Sequence, residues 1–224
     1  MDDTLENATA RANVLARVRH AMGRTAPDPV KLAEADATIA RHAQGPRPSM
    51  PADLAARFAE RARDMASTVE RIAAREAIPA AVRGYLDALH IEGPVRDGVC
   101  WPELADLDWA GAGLQIRNRP TEGHDRLGIT GTYCAIAETG TLVVLSGAGT
   151  PTATTLLPDT HIAVVSAARI VSGMEEVFAL LRAERARSPR AINMISGPSR
   201  TGDIEQTIVL GAHGPFRVHI LLVP

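Results

Sequence analysis

Residues 141–165 read TLVVLSGAGTPTATTLLPDTHIAVV. This segment holds two unbroken apolar runs, residues 142–145 and 162–165, separated by a stretch rich in glycine, proline and threonine. Two similar runs follow at residues 192–195 and 218–223. Strands that do not alternate polar with apolar residues are typical of sheets covered on both faces. The sequence therefore predicts an α/β fold with a mostly parallel sheet flanked by helices.

Segments with the apolar spacing of amphipathic helices lie on both sides of these runs. The spacing predicts helices over residues 52–76, 81–91 and 173–187, which would cover the faces of the sheet. Residues 204–210 also read as a helix that follows a polar loop. A narrow apolar stripe predicts one more helix over residues 4–22, which needs another surface to dock on.

The N-terminal part of the chain differs in composition from the rest. Residues 24–51 contain five prolines and few large apolar side chains, which suits an extended connector interrupted at most by a weak helical turn around residues 32–41. We therefore divide the chain into residues 1–50, an N-terminal helix with a proline-rich arm, and residues 51–224, an α/β domain.

The composition argues against several classes of protein. The 224 residues include 24 basic and 26 acidic side chains, which leaves no positive excess for binding a nucleic-acid backbone. Aromatic residues form 3% of the chain, too few for stacking platforms for single-stranded nucleic acid. No stretch approaches the roughly 20 apolar residues of a membrane helix, and the acidic N-terminus is not a secretory signal. We therefore expect a cytoplasmic protein without a nucleic-acid partner or a membrane span.

Ligands for metals and cofactors are scarce. The two cysteines, Cys100 and Cys134, cannot supply the four thiolates of an iron–sulfur cluster, and no pair of the seven histidines has the spacing of a helical zinc motif. The glycine-containing loop at residues 146–150 lacks the Gly-Lys-Ser sequence of a phosphate-binding loop. We therefore expect no metal and no cofactor in this chain.

A polar loop follows the third apolar run. Within residues 196–205, SGPSRTGDIE, Gly197 lets the backbone approach a ligand, and Arg200 offers two parallel hydrogen bonds to a carboxylate or phosphate. The hydroxyl groups would cap the predicted helix, and the carboxylates suit its first turn. The candidate ligand-binding residues are Gly197, Ser199, Arg200, Thr201, Asp203 and Glu205. The alternative is a well-capped connection in which Arg200 pairs with one of the two carboxylates.

A second polar loop, residues 137–141, precedes an apolar run and reads AETGT. Glu138 stands among hydroxyl groups and glycine, where partial shielding would shift its pKa and allow acid–base or nucleophilic chemistry. The alternative is a carboxylate that closes a β-turn by accepting backbone hydrogen bonds. Glu138 is thus a candidate catalytic residue, and Thr139, Gly140 and Thr141 are candidate ligand-binding residues.

One histidine lies on a loop that could carry chemistry. His213, within residues 211–215, would titrate near neutral pH and is a second candidate catalytic residue. His219 falls inside the last apolar run and reads as a structural histidine instead.

Taken together, these motifs resemble the lactate utilisation protein C family, whose shared unit is the LUD domain. The resemblance rests on residues 131–141, 156–158, 161–165, 196–206 and 210–215. It covers residues 126–224 closely and extends more loosely to the N-terminus, where residues 15–24 are similar to the opening helix of the family.

The resemblance implies both a fold and a role. The fold is related to that of sugar-phosphate isomerases and coenzyme A transferases, in which ligands bind at loops beyond the strand ends. The role is the oxidation of L-lactate to pyruvate, together with two partner subunits that carry iron–sulfur clusters. Because this chain lacks the cysteines for such clusters, a partner would have to hold the electrons.

These observations leave three hypotheses. In the first, the chain is a non-redox subunit of a lactate-oxidising system that binds a small carboxylate or phosphate between Arg200 and Glu138, which should then lie within about 10 Å of each other. In the second, the chain is a stand-alone enzyme of the isomerase and transferase type that uses Glu138. In the third, it is a regulatory or scaffolding subunit that contacts partners through its N-terminal stripe and arm. A homo-oligomer stays open in all three.

Overall fold

The computed structural model describes residues 3–23, 28–89, 95–204 and 207–224. The chain divides into two units, Met1–Pro48 and Ser49–Pro224. The first unit holds helices α1 (Asp3–Ala21) and α2 (Pro29–Arg41). Within the described residues, no helix has both the length and the apolar character needed to cross a membrane.

The helices of the first unit are more extensive than the sequence indicates. Helix α1 confirms the prediction for residues 4–22. Helix α2 replaces the weak turn predicted at residues 32–41, because Asp28 caps it and accepts a hydrogen bond from the N–H group of Val30 at 3.0 Å. A capping aspartate followed by Pro29 in the first turn favours helix initiation.

The described residues of the second unit form twelve strands and three α-helices. The strands are β1 (Thr68–Arg71), β2 (Asp97–Cys100), β3 (Gln115–Asn118), β4 (Leu127–Thr130), β5 (Cys134–Ile136), β6 (Thr141–Leu145), β7 (Thr160–Ser166), β8 (Ile170–Val171), β9 (Ile192–Ile195), β10 (Arg200–Ile204), β11 (Thr207–Leu210) and β12 (Arg217–Val223). The helices are α3 (Leu54–Asp64), α4 (Ile78–Ala88) and α5 (Met174–Glu184). Helices α4 and α5 confirm the predictions for residues 81–91 and 173–187, with shifted ends.

Six parallel strands form the central sheet, in the order β1-β12-β7-β4-β2-β3. Strands β7 and β12 are neighbours in the interior of the sheet and correspond to the predicted runs at residues 162–165 and 218–223. Their pairing extends from Arg217 opposite Thr160 to Val223 opposite Ser166. A mostly parallel sheet flanked by helices is therefore confirmed.

The other two predicted runs form a second sheet. Strands β8, β5, β6 and β9 are neighbours in this order, and the β5–β6 and β6–β9 pairs are antiparallel. The four residues 137–140 that join β5 to β6 are too few for the crossover that a parallel pair needs. Strand β6 is buried on both faces, like a strand of the central sheet. An unbroken apolar run therefore does not indicate which of the two sheets its strand joins.

Helix α3 is shorter than predicted. The sequence indicates a helix over residues 52–76, but α3 ends at Asp64, and Ala66 adopts a left-handed conformation with φ of 64°. The chain then enters β1, where Val69 pairs with Ile220 of β12. The apolar residues beyond the helix end have helical spacing, yet pairing with the edge of the sheet determines their conformation.

The helix predicted at residues 204–210 is wrong. Strands β10 and β11 form an antiparallel hairpin there, with Arg200 opposite Leu210 and Thr201 opposite Val209. Residues 205 and 206 lie outside the described part of the chain. Isoleucine, threonine and valine dominate this segment, and β-branched residues favour strands over helices.

Three clusters of buried side chains fill the space between these elements. The first lies between the two sheets, where Phe58 of α3 packs with Val144 and Val165. The second joins the central sheet to α4, and the third joins the small sheet to α5. His219 is buried, stacks on Tyr85 at 3.9 Å between ring centroids and thus has a structural position, as its place in the last run predicts.

A second buried histidine makes the stability depend on pH. His161 on β7 is fully buried, its Nε2 atom lies 2.8 Å from the hydroxyl oxygen of Thr130, and its Nδ1 atom has no hydrogen-bond partner among the described residues. Burial lowers its pKa to about 4. Because a histidine in an unfolded chain has a pKa of about 6.5, the unfolded state binds a proton first as the pH falls. His161 therefore favours unfolding progressively between these two values.

We expect the variant His161→Gln to lose less stability on acidification than the wild type. Between about pH 7 and about pH 5, the drop in the free energy of unfolding should be smaller in the variant by roughly 1–2 kcal/mol. Urea unfolding followed by circular dichroism at both pH values measures this difference. The exposed His124 supplies the control, since His124→Gln should follow the wild type. Equal drops in all three proteins would contradict the assignment.

Candidate functional site

The carboxyl ends of the parallel strands open onto a cavity of about 510 Å³. Its lining includes Ala74 after β1, Glu103 after β2, Thr132 after β4, Ser166 at the end of β7 and Val223 at the end of β12. Parallel strands present their following loops at one edge of the sheet, which is where open α/β sheets bind ligands. We refer to this space as the larger cavity.

Glu103 is the acidic residue of the larger cavity. Its carboxylate lies against Gly131, where an added Cβ atom would overlap it, and accepts a hydrogen bond from the backbone of that residue. Loss of solvent around the carboxylate raises the pKa of Glu103, although the Gly131 hydrogen bond and the charge of Arg75 act in the opposite direction. The side chain is thus more easily protonated than an ordinary glutamate.

Arg75 positions the loop that carries Glu103. Its guanidinium donates hydrogen bonds to both carboxylate oxygens of Asp106, at 3.0 and 2.6 Å, and to the backbone carbonyl of Glu103. The guanidinium holds the pKa of Asp106 below its usual range. Arg75 therefore directs its hydrogen bonds to Asp106 and Glu103, at the rim of the larger cavity.

A smaller cavity of about 400 Å³ adjoins the larger one and shares Glu103 and Thr132 with it. Its other lining residues are Trp101, Tyr133, Leu145, residues 146–150 and Arg185. The loop at residues 146–150 is held from both ends. The Thr150 hydroxyl donates to the carbonyl of Leu145 at 2.7 Å, and the indole of Trp101 donates to the carbonyl of Pro151 at 3.2 Å.

The loop at residues 137–141 lies elsewhere, against the end of α3. Gly140 has φ of 69°, and a Cβ atom there would overlap the backbone of Arg61 and Ala62. Thr141 bridges Thr139 and Ser196 through hydroxyl hydrogen bonds of 2.6 Å each. The structure therefore joins the two polar loops that the sequence singles out.

The loop at residues 196–200 packs against the same helix end. Gly197 has φ of 79° and leaves no room for a Cβ atom beside the carbonyl oxygen of Met65. The Nη2 atom of Arg200 donates a hydrogen bond to that oxygen at 2.8 Å. Arg200 thus contacts the residue that follows α3. Since no helix follows Arg200 itself, the argument for an anion site at a helix start no longer applies.

The remaining predicted residues occupy several positions around this region. Ser199 fixes the loop at residues 211–215, since its hydroxyl accepts a hydrogen bond from the backbone of His213 at 3.2 Å. His213 itself is exposed. Thr201 and Asp203 lie in β10, and Glu205 lies outside the described residues.

Glu138 is half-buried, and its backbone N–H group donates to the carbonyl of Ser172 at 3.0 Å. Its carboxylate forms no ion pair or hydrogen bond with the described residues. In the described part of the chain, none of the predicted catalytic or ligand-binding residues lines either cavity. Their roles stay predictions.

Sequence reasoning missed the residues that line the two cavities. Glu103 follows β2, a strand of only four residues in which Asp97 and Gly98 conceal the apolar run. Arg185 directly follows α5 and resembles any other arginine at a helix end. The glycine-containing loop at residues 146–150 is the signal that the sequence offers for this region, although it matches no nucleotide-binding motif.

The two cysteines are poor nucleophiles. Cys100 and Cys134 are free and buried, and burial raises the pKa of each thiol to about 11. Within the described residues, no group of three or more histidine, cysteine, aspartate or glutamate side chains is placed to hold a metal ion.

Fold and cleft together define an α/β protein with a cavity at the carboxyl edge of its parallel sheet. The model of the LUD domain family matches residues 55–223, and the chain belongs to this family. A crystal structure of a DUF162 family protein from Deinococcus radiodurans has the same fold, with a TM-score of 0.56 and 24% identity over 79% of this chain and 100% of that one.

Several curated relatives carry the name lactate utilization protein C. The protein of Halalkalibacterium halodurans is 41% identical over 43% of this chain and 44% of its own length. The protein of a Geobacillus species is 33% identical over 55% of this chain and 53% of its own. That of Bacillus subtilis is 38% identical over 43% and 42%. The chain spans about half the length of the curated relatives it matches.

We expect Gly197→Ala to destabilise the second unit. The new Cβ atom would overlap the Met65 carbonyl in a left-handed backbone conformation, so the free energy of unfolding should fall by about 1–3 kcal/mol. Gly202→Ala is the matched control, because an added Cβ atom there has no neighbour within 4 Å. Chemical unfolding of both variants measures the effect. Equal stability of the two variants would show that the Met65 contact is dispensable.

Proposed function

We propose that this protein is a non-redox subunit of a cytoplasmic system that oxidises L-lactate to pyruvate. The observation that carries this proposal is its similarity, at 31–41% identity, to relatives named lactate utilization protein C. Its two buried cysteines suit a subunit without redox ligands. Iron–sulfur clusters on partner subunits would then accept the electrons removed from lactate.

The second part of the proposal is that the chain binds a small carboxylate or phosphate at loops beyond the strand ends. Arg200 supports it, because its exposed guanidinium has five N–H donors and uses one of them on the Met65 carbonyl. The larger cavity at the carboxyl edge supports it as well, since ligands of open α/β sheets bind there. The polar loops and the cleft are therefore separate candidates for the same ligand class.

Two other functions have an observation in their favour. The half-buried carboxylate of Glu138, without an ion-pair partner among the described residues, suits a stand-alone enzyme of the isomerase and transferase type. A covalent adduct on Glu138 after incubation with acyl coenzyme A thioesters, detected by mass spectrometry, would favour that enzyme.

Exposed apolar side chains on α1 and α2, such as Val18 and Ile39, suit a scaffold that contacts partners through residues 1–50.

Assembly is tested by co-purification. We expect the tagged full-length chain to retain iron–sulfur proteins from cells grown on L-lactate, detected by the visible absorbance of the clusters and by mass spectrometry. A chain that elutes as an isolated monomer from the same lysate would contradict the subunit proposal. The variant that lacks residues 1–50 separates the scaffold hypothesis, because partner binding that survives this deletion does not depend on the arm.

Ligand binding is tested by calorimetry with L-lactate, pyruvate and inorganic phosphate. If Arg200 contacts the anion, Arg200→Ala should weaken binding by at least tenfold, since a charged hydrogen bond is worth about 1.5–3 kcal/mol. Arg187→Ala removes an exposed arginine that lines neither cavity and should bind like the wild type. Unchanged affinity in Arg200→Ala would remove this residue from the site, and absence of binding by all three anions would refute the ligand proposal.

A further inference from the structure

The two cavities at the carboxyl edge adjoin each other, because Glu103 and Thr132 line both. The Thr132 hydroxyl donates to the carbonyl of Val164 at 3.1 Å, so it presents no second proton to a ligand. The carboxyl edge therefore holds two adjacent cavities of about 510 and 400 Å³ that share Glu103. Pockets of this size hold ligands much larger than a three-carbon acid.

The smaller cavity offers donors to an anion. The N–H groups of Ala148 and Gly149 have no hydrogen-bond acceptor among the described residues. Arg185 lines the same cavity, with its guanidinium carbon 5.8 Å from the ring centroid of Tyr133, and its charge contributes to lowering the pKa of Glu184. Successive backbone N–H groups and an arginine are a combination that binds carboxylate or phosphate.

The larger cavity offers an apolar surface. Its lining includes Ala74, Ile78, Leu104, Val164 and Val223. Among the described residues, the charged side chains that line this cavity are Glu103 and Arg75, and the guanidinium of Arg75 is already bonded to Asp106. A hydrocarbon segment bound here would therefore be buried against apolar side chains, and Arg75 would keep its ion-pair partner.

We propose that the two cavities form one site for an elongated organic anion, with its carboxylate or phosphate at residues 148–149 and Arg185 and its hydrocarbon body in the larger cavity. Glu103 lies where the two parts meet. Loss of solvent around its carboxylate raises the pKa of Glu103, a direction that lessens its repulsion of the anion, although the residue as a whole is exposed. The inference rests on the proposed anion binding and names a larger ligand class for it.

Tryptophan fluorescence gives a direct measurement. The chain has two tryptophans, and of these Trp101 lines the smaller cavity while the buried Trp109 lines neither. We expect straight-chain carboxylates from acetate to octanoate to change the Trp101 emission, with affinity rising roughly fourfold per added methylene, as burial of each CH₂ by about 0.8 kcal/mol implies. Trp109→Phe removes the tryptophan that lines neither cavity and should leave the change in emission intact. An affinity that does not depend on chain length would overturn the inference.

Three variants separate the two ends of the site. Arg185→Gln should weaken every carboxylate by at least fivefold, whereas Arg182→Gln, on the same helix end but outside both cavities, should not. Ala74→Leu fills part of the larger cavity from an exposed position and should weaken octanoate while leaving acetate unchanged. Equal effects of Arg185→Gln and Arg182→Gln, or an equal effect of Ala74→Leu on both acids, would contradict the arrangement.

The same titrations distinguish this inference from the proposed function. L-lactate and pyruvate that bind as tightly as octanoate would leave the lactate proposal intact and refute the elongated ligand. Octanoate that binds while lactate, pyruvate and phosphate do not would refute the small-anion proposal and support the larger ligand.

Discussion

The pairing of β12 with β7 is the interaction on which the rest of the second unit depends. Seven consecutive residue pairs join these strands in parallel, β1 attaches to β12, and β4 attaches to β7. Since all six strands run in one direction, their following loops must meet at one edge of the sheet. The larger cavity, which Glu103 lines, is a consequence of this single direction, although its lining residues are far apart along the chain.

In the polar loops, residues that suit ligand binding instead make contacts within the protein. Arg200 reads as an anion-binding residue, and in the structure it donates a hydrogen bond to the carbonyl of Met65 at the end of α3. A helix end exposes carbonyl oxygens with partial negative charge, which attract a guanidinium as an anion does. Gly140 and Gly197, which the sequence offers as ligand-binding residues, are needed because the end of α3 and the adjoining Met65 leave no room for a Cβ atom.

Family membership and site chemistry contribute different parts of the functional argument. The LUD family match and the DUF162 structure establish the family and the fold. A fold hosts many functions, so the activity has to be argued from the site itself. The two cavities supply the physical basis of the proposed site, because an apolar lining next to Arg185 and to backbone N–H groups without an acceptor among the described residues suits a ligand with one anionic end.

The sequence by itself determined the fold class, the two central strands and the positions of α1, α4 and α5, since burial on both faces and helical spacing are local properties of the chain. It did not determine the end of α3, the hairpin at β10 and β11, or the sheet to which β6 belongs, because strand pairing joins residues such as Val69 and Ile220 that are far apart in sequence. The two cavities could not be predicted from the sequence for the same reason. Glu103, Thr132 and Arg185 become neighbours only when parallel pairing and the packing of α5 bring their loops to one edge.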